Sequence, residues 1–451
     1  MDKWRIVVLF LGLPVFSFAQ FSQAERDSIY RLSVIDHQQM KEQLGIIAPN
    51  RPGPSGNPDD PNAANTDEKN VRDYQLPDPL ILNNGKKVTT SEGWWQKRRP
   101  ELVRLFEEEM YGRVPENVPT VAWKVEYVKD TVVGNFPVKE KMLSGVVDNA
   151  AYPEIEVKIK MLLVTPADAN DPVPVVTELG FIRWPFGDPP QRTNSLFSPH
   201  EPEWKEQLIT QGWGFAIINT SSIQADNGAG LRQGIIGLVN KGEPRKPDQW
   251  GVLRAWAWGA SRAIDYFERD SDVDTSRLAI EGLSRYGKAA LVAMAFEPRF
   301  SLGFIGSSGA GGAKILRRNL GEQVENLAST AEYHWFSGNF IQYASTKTVD
   351  DLPVDAHELI ALCAPRPVFI SAGSPFVEGQ WIDAKGTFVA AVHASPVYEL
   401  LGKEGLGAAT FPYIGTPIVS GEIAFRQHAG GHSTGPNWST WIAWASRYWE
   451  E

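Results

Sequence analysis

The sequence predicts an α/β fold in three layers, with a mostly parallel central sheet between two layers of helices. From about residue 173, short apolar segments typical of buried strands alternate with longer segments of helical pattern. The length of 451 residues is sufficient for a large α/β core. A serine also stands at a sharp strand-to-helix junction, within residues 282–288.

The N-terminus has the pattern of a secretion signal. Lys3 and Arg5 precede a short apolar run, and small residues stand before Gln20. These features predict a signal peptide over residues 1–19 with cleavage near Ala19. Because the run is too short for an ordinary membrane span, we expect an exported protein, periplasmic or secreted, with no membrane span after signal removal.

The rest of the chain divides into two predicted parts. Residues 20–90 combine mixed helical periodicity with a stretch rich in Pro, Asn and Asp, which predicts an N-terminal arm and an irregular linker. Residues 91–451 are predicted to form the catalytic domain.

Composition excludes several classes of function. The net charge of −10 argues against a nucleic-acid partner. Cys363 is the only cysteine, so no intrachain disulfide can form, and its apolar neighbours predict a buried side chain. With seven histidines and one cysteine, the chain shows no Cys/His cluster typical of a metal site, so we expect no metal and no organic cofactor.

The elements follow in order along the chain. Residues 91–111 predict a helix, and residues 121–164 predict successive strands. The later predicted strands cover residues 173–177, 214–218, 277–281, 302–306, 366–372 and 421–425. The later predicted helices cover residues 251–268, 289–295, 387–401 and 437–448.

The serine junction reads Gly-Leu-Ser-Arg-Tyr-Gly-Lys over residues 282–288. Gly282 allows a tight turn, and the helix that follows Ser284 offers free N–H groups to a developing oxyanion. An α/β-hydrolase exposes its nucleophile in this way, although Tyr286 stands where the second glycine of G-x-S-x-G is usual. The alternative is a helix-capping serine in an ordinary turn.

A serine nucleophile needs a histidine base and an acid. In this fold the acid follows the serine along the chain, and the histidine follows the acid. His432 lies after the last predicted strand and is the candidate base, with His428 as the rival. Glu378 follows the strand before it and is the first candidate for the acid. Asp383 is the second, although it could instead cap the next helix. His334 and His357 are interpreted as structural.

Residues 282–288 match the Gly-x-Ser-Arg-x-Gly-Lys signature, and the chain resembles the glucuronoyl esterases, carbohydrate esterase family 15. Further matches follow in order at residues 98–101, 111–113, 250–251, 255–262, 308–312, 364–367 and 431–432. The resemblance covers about residue 91 to the C-terminus. It implies hydrolysis of esters of (4-O-methyl-)glucuronic acid on glucuronoxylan, such as lignin–carbohydrate links.

The resemblance also implies roles for single residues. Ser284 would be the nucleophile, His432 the base, and Arg285 a second stabiliser of the oxyanion. The residues implied to contact the substrate are Lys288, Glu322, Glu332 and Trp381. Each of the four also has an ordinary interpretation as a solvated or packing side chain.

The chain departs from the family at the acid. Many members carry a glutamate where this chain has Ser307, and the bacterial alternative matches Gly379, one residue after Glu378. Residues 180–187 also differ from the usual loop. Two alternatives therefore stay open: another carbohydrate esterase, for acetyl or feruloyl esters, and a non-catalytic glycan-binding protein.

Overall fold

The computed structural model describes residues 22–182 and 203–449. The predicted signal peptide and most of the unusual loop at residues 180–187 lie outside these ranges. Within them, no helix is long and apolar enough to span a bilayer.

Nine strands of the described residues form one sheet, in the order β1-β2-β3-β5-β4-β6-β7-β8-β9. The pairs β1–β2, β2–β3 and β3–β5 are antiparallel, whereas the six strands β5, β4, β6, β7, β8 and β9 pair parallel. The strands are β1 Val121–Val133, β2 Phe136–Val147, β3 Lys158–Pro166, β4 Val173–Gly180, β5 Gly214–Asn219, β6 Val273–Leu283, β7 Leu302–Gly306, β8 Val368–Ala372 and β9 Ile423–Gln427.

Helices cover both faces of the sheet, which confirms the predicted three-layer fold. They are α1 Gln23–Gln43, α2 Ser91–Gly93, α3 Arg99–Phe106, α4 Trp204–Thr210, α5 Gly234–Val239, α6 Val252–Phe267, α7 Arg285–Phe296, α8 Val324–Leu327, α9 Ala356–Ala361, α10 Ala384–Leu400 and α11 Trp438–Trp449. Two π-helical turns, Trp94–Arg98 and Glu107–Tyr111, flank α3 within the predicted helix of residues 91–111.

Alternation along the parallel strands divides the core into two layers. In β8, Val368 and Ile370 face the larger cluster, which includes α6, α7 and α10, whereas Phe369 faces the smaller one with α4 and α11. Successive side chains of a strand point to opposite faces, so a strand covered on both sides is apolar throughout. Cys363 is buried as predicted, and burial raises the pKa of its thiol to about 12.

Two predicted boundaries were displaced by local contacts. The last strand was predicted over residues 421–425 but begins at Ile423, because Glu422 N donates to the carbonyl oxygen of Glu404 at 3.0 Å instead of to a neighbouring strand. The helix predicted from residue 387 begins at Ala384, because the Asp383 carboxylate caps it by accepting a hydrogen bond from Gly386 N at 2.8 Å.

The N-terminal segment packs on the rest of the chain. The phenol of Tyr333 donates to Asp36 Oδ2 of α1 at 2.8 Å, and Arg51 pairs with Glu325 at 3.0 Å. Met40 is buried in the larger cluster. The division of the chain near residue 90 stays a prediction.

The smaller core layer depends on Phe304 of β7, whose ring stacks on Trp441 at 5.7 Å and meets Trp438 at 5.1 Å. Phe304→Ala should lower the free energy of unfolding by about 3–5 kcal/mol, because it leaves a cavity between packed rings. Phe376→Ala is the matched control, since Phe376 is 88% exposed, and should change stability by about 0.5 kcal/mol or less. Urea unfolding measures both, and similar losses would contradict this account.

Candidate active site

Ser284 occupies the junction between β6 and α7 in a strained conformation. Its φ of 62° and ψ of −129° lie in a region that costs energy for any residue other than glycine. Its backbone N–H donates to the carbonyl oxygen of Gly306 at 2.9 Å, which ties the turn to the end of β7. Its side chain makes no capping hydrogen bond, which does not support the alternative of a helix cap.

Two glycines allow α7 to approach the sheet at this turn. A side chain at Gly282 would overlap the carbonyl oxygen of Tyr286, and a Cβ at Gly287 would stand 2.7 Å from the oxygen of Gly306. Both approaches are too close for any larger residue. Gly287, which stands one position later than the second glycine of the usual pattern, is therefore required where α7 crosses β7.

His432 and Glu378 are brought together from the loops after β9 and β8. The ring Nδ1–H of His432 donates to Glu378 Oε1 at 2.6 Å. The Glu378 side chain is fully buried, whereas 35% of the His432 side chain is exposed. Glu378 Oε2 accepts a hydrogen bond from Gly373 N. A carboxylate held in this way fixes the tautomer of the imidazole and leaves Nε2 able to accept a proton.

The rival residues lie in other environments. Asp383 pairs with Arg318 at 2.9 Å, in addition to capping α10. His428 is buried, burial lowers its pKa to about 4, and its Nδ1 accepts from Gly430 N at 3.0 Å. Ser307 is buried at the end of β7, and its hydroxyl has no hydrogen-bond partner.

Lys288 and Glu322 form a buried pair one helical turn after the serine. The Lys288 ammonium lies 3.2 Å from Glu322 Oε2 and donates to the carbonyl oxygens of Ser308 and Ala310 at 2.7 and 2.6 Å. All three ammonium protons are therefore engaged within the protein. Glu322 Oε2 also accepts from Ala310 N at 3.1 Å.

Trp381 lies between the histidine and this pair. Its ring centroid is 5.4 Å from that of His432, and 38% of the residue is exposed. Its indole N–H donates to the carbonyl oxygen of Glu378 at 2.7 Å, and its own carbonyl oxygen accepts from Glu322 N at 3.0 Å. The structure thus brings these predicted residues into one connected region.

Glu332 and Arg285 are the other two predicted site residues. One carboxylate oxygen of Glu332 is buried without a hydrogen-bond partner. Burial, together with the negative charge of Glu322, raises the pKa of Glu332 to about 7. Arg285 Nε lies 2.6 Å from Asp226 Oδ2, and 36% of the Arg285 side chain is exposed.

Sequence reasoning missed Asp226. Its other oxygen, Oδ1, accepts hydrogen bonds from Trp335 Nε1 at 2.6 Å and His334 Nε2 at 3.1 Å. One available signal was its place in the loop after β5, because the carboxyl ends of parallel strands meet at one edge of the sheet. The described residues contain no cluster of three or more His, Cys, Asp or Glu side chains that could hold a metal ion.

Comparison with known proteins identifies several relatives. The family described as "Glucuronyl esterase, fungi" matches residues 245–402. A carbohydrate esterase from an unidentified prokaryote is 35% identical over 86% of this chain and 93% of its own length. The 4-O-methyl-glucuronoyl methylesterase of Schizophyllum commune is 30% identical over 72% of this chain and 74% of its own.

A solved structure is similar along most of the chain. The CE15 glucuronoyl esterase from Teredinibacter turnerae is 43% identical, with a TM-score of 0.85, and the match covers 92% of this chain and all of that one.

The glycine contacts of the serine turn lead to a prediction. Gly282→Ala should destabilise the protein and slow labelling of Ser284 by a fluorophosphonate probe, because the added methyl group displaces the first turn of α7. Gly56→Ala is the control, since a methyl group there meets no atom within 4 Å. Labelling followed by mass spectrometry measures the effect, and equal labelling rates in the two variants would contradict it.

Proposed function

The chain belongs to the glucuronoyl esterases, carbohydrate esterase family 15, and we propose that it hydrolyses esters of glucuronic acid with Ser284 as nucleophile. The observation that carries the proposal is the 2.6 Å hydrogen bond between Glu378 and His432, in the loops next to a serine on a strained turn. These are the three groups that acyl transfer by serine requires. The relative from Schizophyllum commune, named as a 4-O-methyl-glucuronoyl methylesterase, supports the choice of substrate.

The proposed reaction proceeds in two steps. Ser284 Oγ attacks the ester carbonyl carbon while His432 Nε2 takes the hydroxyl proton, and Glu378 stabilises the imidazolium that forms. The tetrahedral intermediate breaks its bond to the alcohol oxygen, which receives that proton from His432. Water then attacks the glucuronoyl-enzyme with His432 again as base, which releases glucuronic acid and restores Ser284.

The oxyanion would form at the N-terminus of α7. Backbone N–H groups at the start of a helix carry partial positive charge. Arg285, the first residue of α7, adds a permanent charge with donors in a fixed planar arrangement. Donors placed before the reaction stabilise the transition state more than the neutral carbonyl of the substrate.

The sugar would lie between Trp381, Glu322 and Glu332. The exposed part of the Trp381 ring offers a flat apolar surface for the pyranose. The unpartnered oxygen of Glu332 is suited to a sugar hydroxyl, because a buried polar atom costs free energy until it is paired. Since the Lys288 ammonium is already engaged, its proposed contribution is to hold Glu322 toward the substrate.

The alcohol side of the ester would lie on the His432 side of the site. Phe376 and Val377 are 88% and 55% exposed in the loop that carries Glu378. Val377 packs beside Gly431, next to the histidine. Apolar side chains here favour an apolar alcohol, so we extend the proposal to the esters that join lignin alcohols to glucuronoxylan. We propose that the protein is an exported serine esterase with Ser284 as its nucleophile.

Substitutions of the triad test this proposal on the benzyl ester of glucuronic acid. Ser284→Ala should abolish hydrolysis. Glu378→Gln should lower kcat on the order of 10³- to 10⁴-fold, because a neutral amide neither fixes the tautomer nor stabilises the imidazolium. Asp383→Asn is the matched control and should lower Tm while leaving kcat near the wild-type value, because Asp383 binds Arg318 and caps α10.

The outcomes separate the alternatives. Hydrolysis that needs Ser284 but tolerates Glu378→Gln would make Glu378 the wrong acid. Wild-type turnover of acetyl or feruloyl sugars without turnover of the glucuronate ester would indicate another carbohydrate esterase. Binding of glucuronoxylan oligosaccharides without any turnover would indicate a non-catalytic protein.

Glu332 gives a prediction about pH. Because its pKa is raised in the folded protein, the folded state holds the proton more tightly than the unfolded state does. The resulting stabilisation is complete below the ordinary glutamate pKa and is lost as pH rises to about 7. In Glu332→Gln this loss should be absent, so the Tm of the variant relative to wild type should rise between pH 5 and pH 8. Glu399→Gln, at an exposed glutamate, is the control; a parallel shift in both variants would contradict the assignment.

A further inference from the structure

Asp226 joins two parts of the site that are far apart in the sequence. It lies after β5, and its Oδ2 is 2.6 Å from Arg285 Nε at the start of α7. Arginine has a long side chain with many rotamers, and more than a third of this one is exposed. A charged partner at the inner nitrogen therefore restricts the directions in which the outer nitrogens can point.

The Asp226 carboxylate is itself held in place. Its Oδ1 accepts from the rings of Trp335 and His334, both of which are buried. Burial opposes ionisation, but the hydrogen bond from His334, the bond from Trp335 and the charge of Arg285 together lower the pKa of Asp226. The carboxylate is therefore charged at neutral pH and fixed on one side by two rigid donors.

The guanidinium has a second fixed contact. Its central carbon lies 5.0 Å from the centroid of the Tyr286 ring, within reach of a cation–π interaction. The Tyr286 ring packs in turn against Trp256 at 5.2 Å and Phe181 at 5.5 Å. The guanidinium thus forms an ion pair at Nε with a fixed carboxylate and lies against a packed aromatic ring.

We infer that Asp226 is a positioning residue that holds the outer nitrogens of Arg285 toward the oxyanion, an inference that rests on the proposed role of Arg285. Preorganised donors are effective because they need no rearrangement during the reaction. Since the oxyanion exists only near the transition state, loss of this positioning lowers kcat and leaves KM nearly unchanged.

A double-mutant cycle tests the inference on the benzyl ester of glucuronic acid, with kcat expressed per active site counted by phosphonate titration. Asp226→Asn keeps an oxygen that can accept from Trp335 but removes the charge beside Arg285. It should lower kcat about ten-fold or more with KM within about two-fold, since loss of one oxyanion donor costs about 10²–10³ in kcat. In the Arg285→Ala background the same change should alter kcat less than about two-fold.

Two further variants complete the design. Asp272→Asn is the matched control, because Asp272 pairs with Lys139 and Lys141 at 2.8 and 2.9 Å and should leave kcat unchanged. Asp226→Glu retains the charge on a longer side chain and should give a smaller loss than Asp226→Asn. If Asp226→Asn does not fold, Asp226→Glu takes its place in the double-mutant cycle.

The result separates this inference from the proposed function. If Arg285→Ala keeps the wild-type kcat, the oxyanion role proposed for Arg285 is wrong. If Arg285→Ala lowers kcat but Asp226→Asn does not, or lowers it by the same factor in both backgrounds, Asp226 acts through another contact and the inference is overturned. A rise in KM without a fall in kcat would also overturn it.

Discussion

The close approach of α7 to the ends of β6 and β7 is the constraint on which the site depends. Gly282 and Gly287 permit it, and the bond from Ser284 N to Gly306 O fixes its depth. This rigid junction therefore carries three side chains of the site: the strained Ser284, Arg285 directly after it and Lys288 one helical turn later. A shift of that junction would move the proposed nucleophile, the proposed cationic donor and the support of Glu322 together.

The parallel sheet explains why residues distant in sequence converge at this junction. Asp226 follows β5, Ser284 follows β6, Glu378 follows β8 and His432 follows β9. Strands that run in the same direction end at the same edge, so the loops after them face one another. The protein can therefore change one group by altering one loop, because the neighbouring strands keep the other loops in place.

This geometry also sets the limit of prediction from sequence. The fold, Ser284 and His432 have local signals: the alternation of strands and helices, a glycine-flanked turn and a position after the last strand. The choice between Glu378 and Asp383 has only indirect signals, the proximity of Glu378 to β8 and the capping position of Asp383, because the path of the turn decides which carboxylate faces His432. Asp226 was missed because its role depends on His334 and Trp335, more than a hundred residues later in the chain.

The position of the proposed acid, Glu378, has a consequence for the proposed binding of the sugar. At the end of β7 this chain has the neutral and buried Ser307. The carboxylate instead comes from the turn at residues 378–381, whose last residue, Trp381, bonds to Glu378 O and to Glu322 N. One short turn thus joins the group that orients His432 to a residue proposed to bind the sugar. The bond from Trp381 Nε1 to the backbone carbonyl of Glu378 therefore places the proposed sugar contact and the proposed acid on one hydrogen-bonded turn.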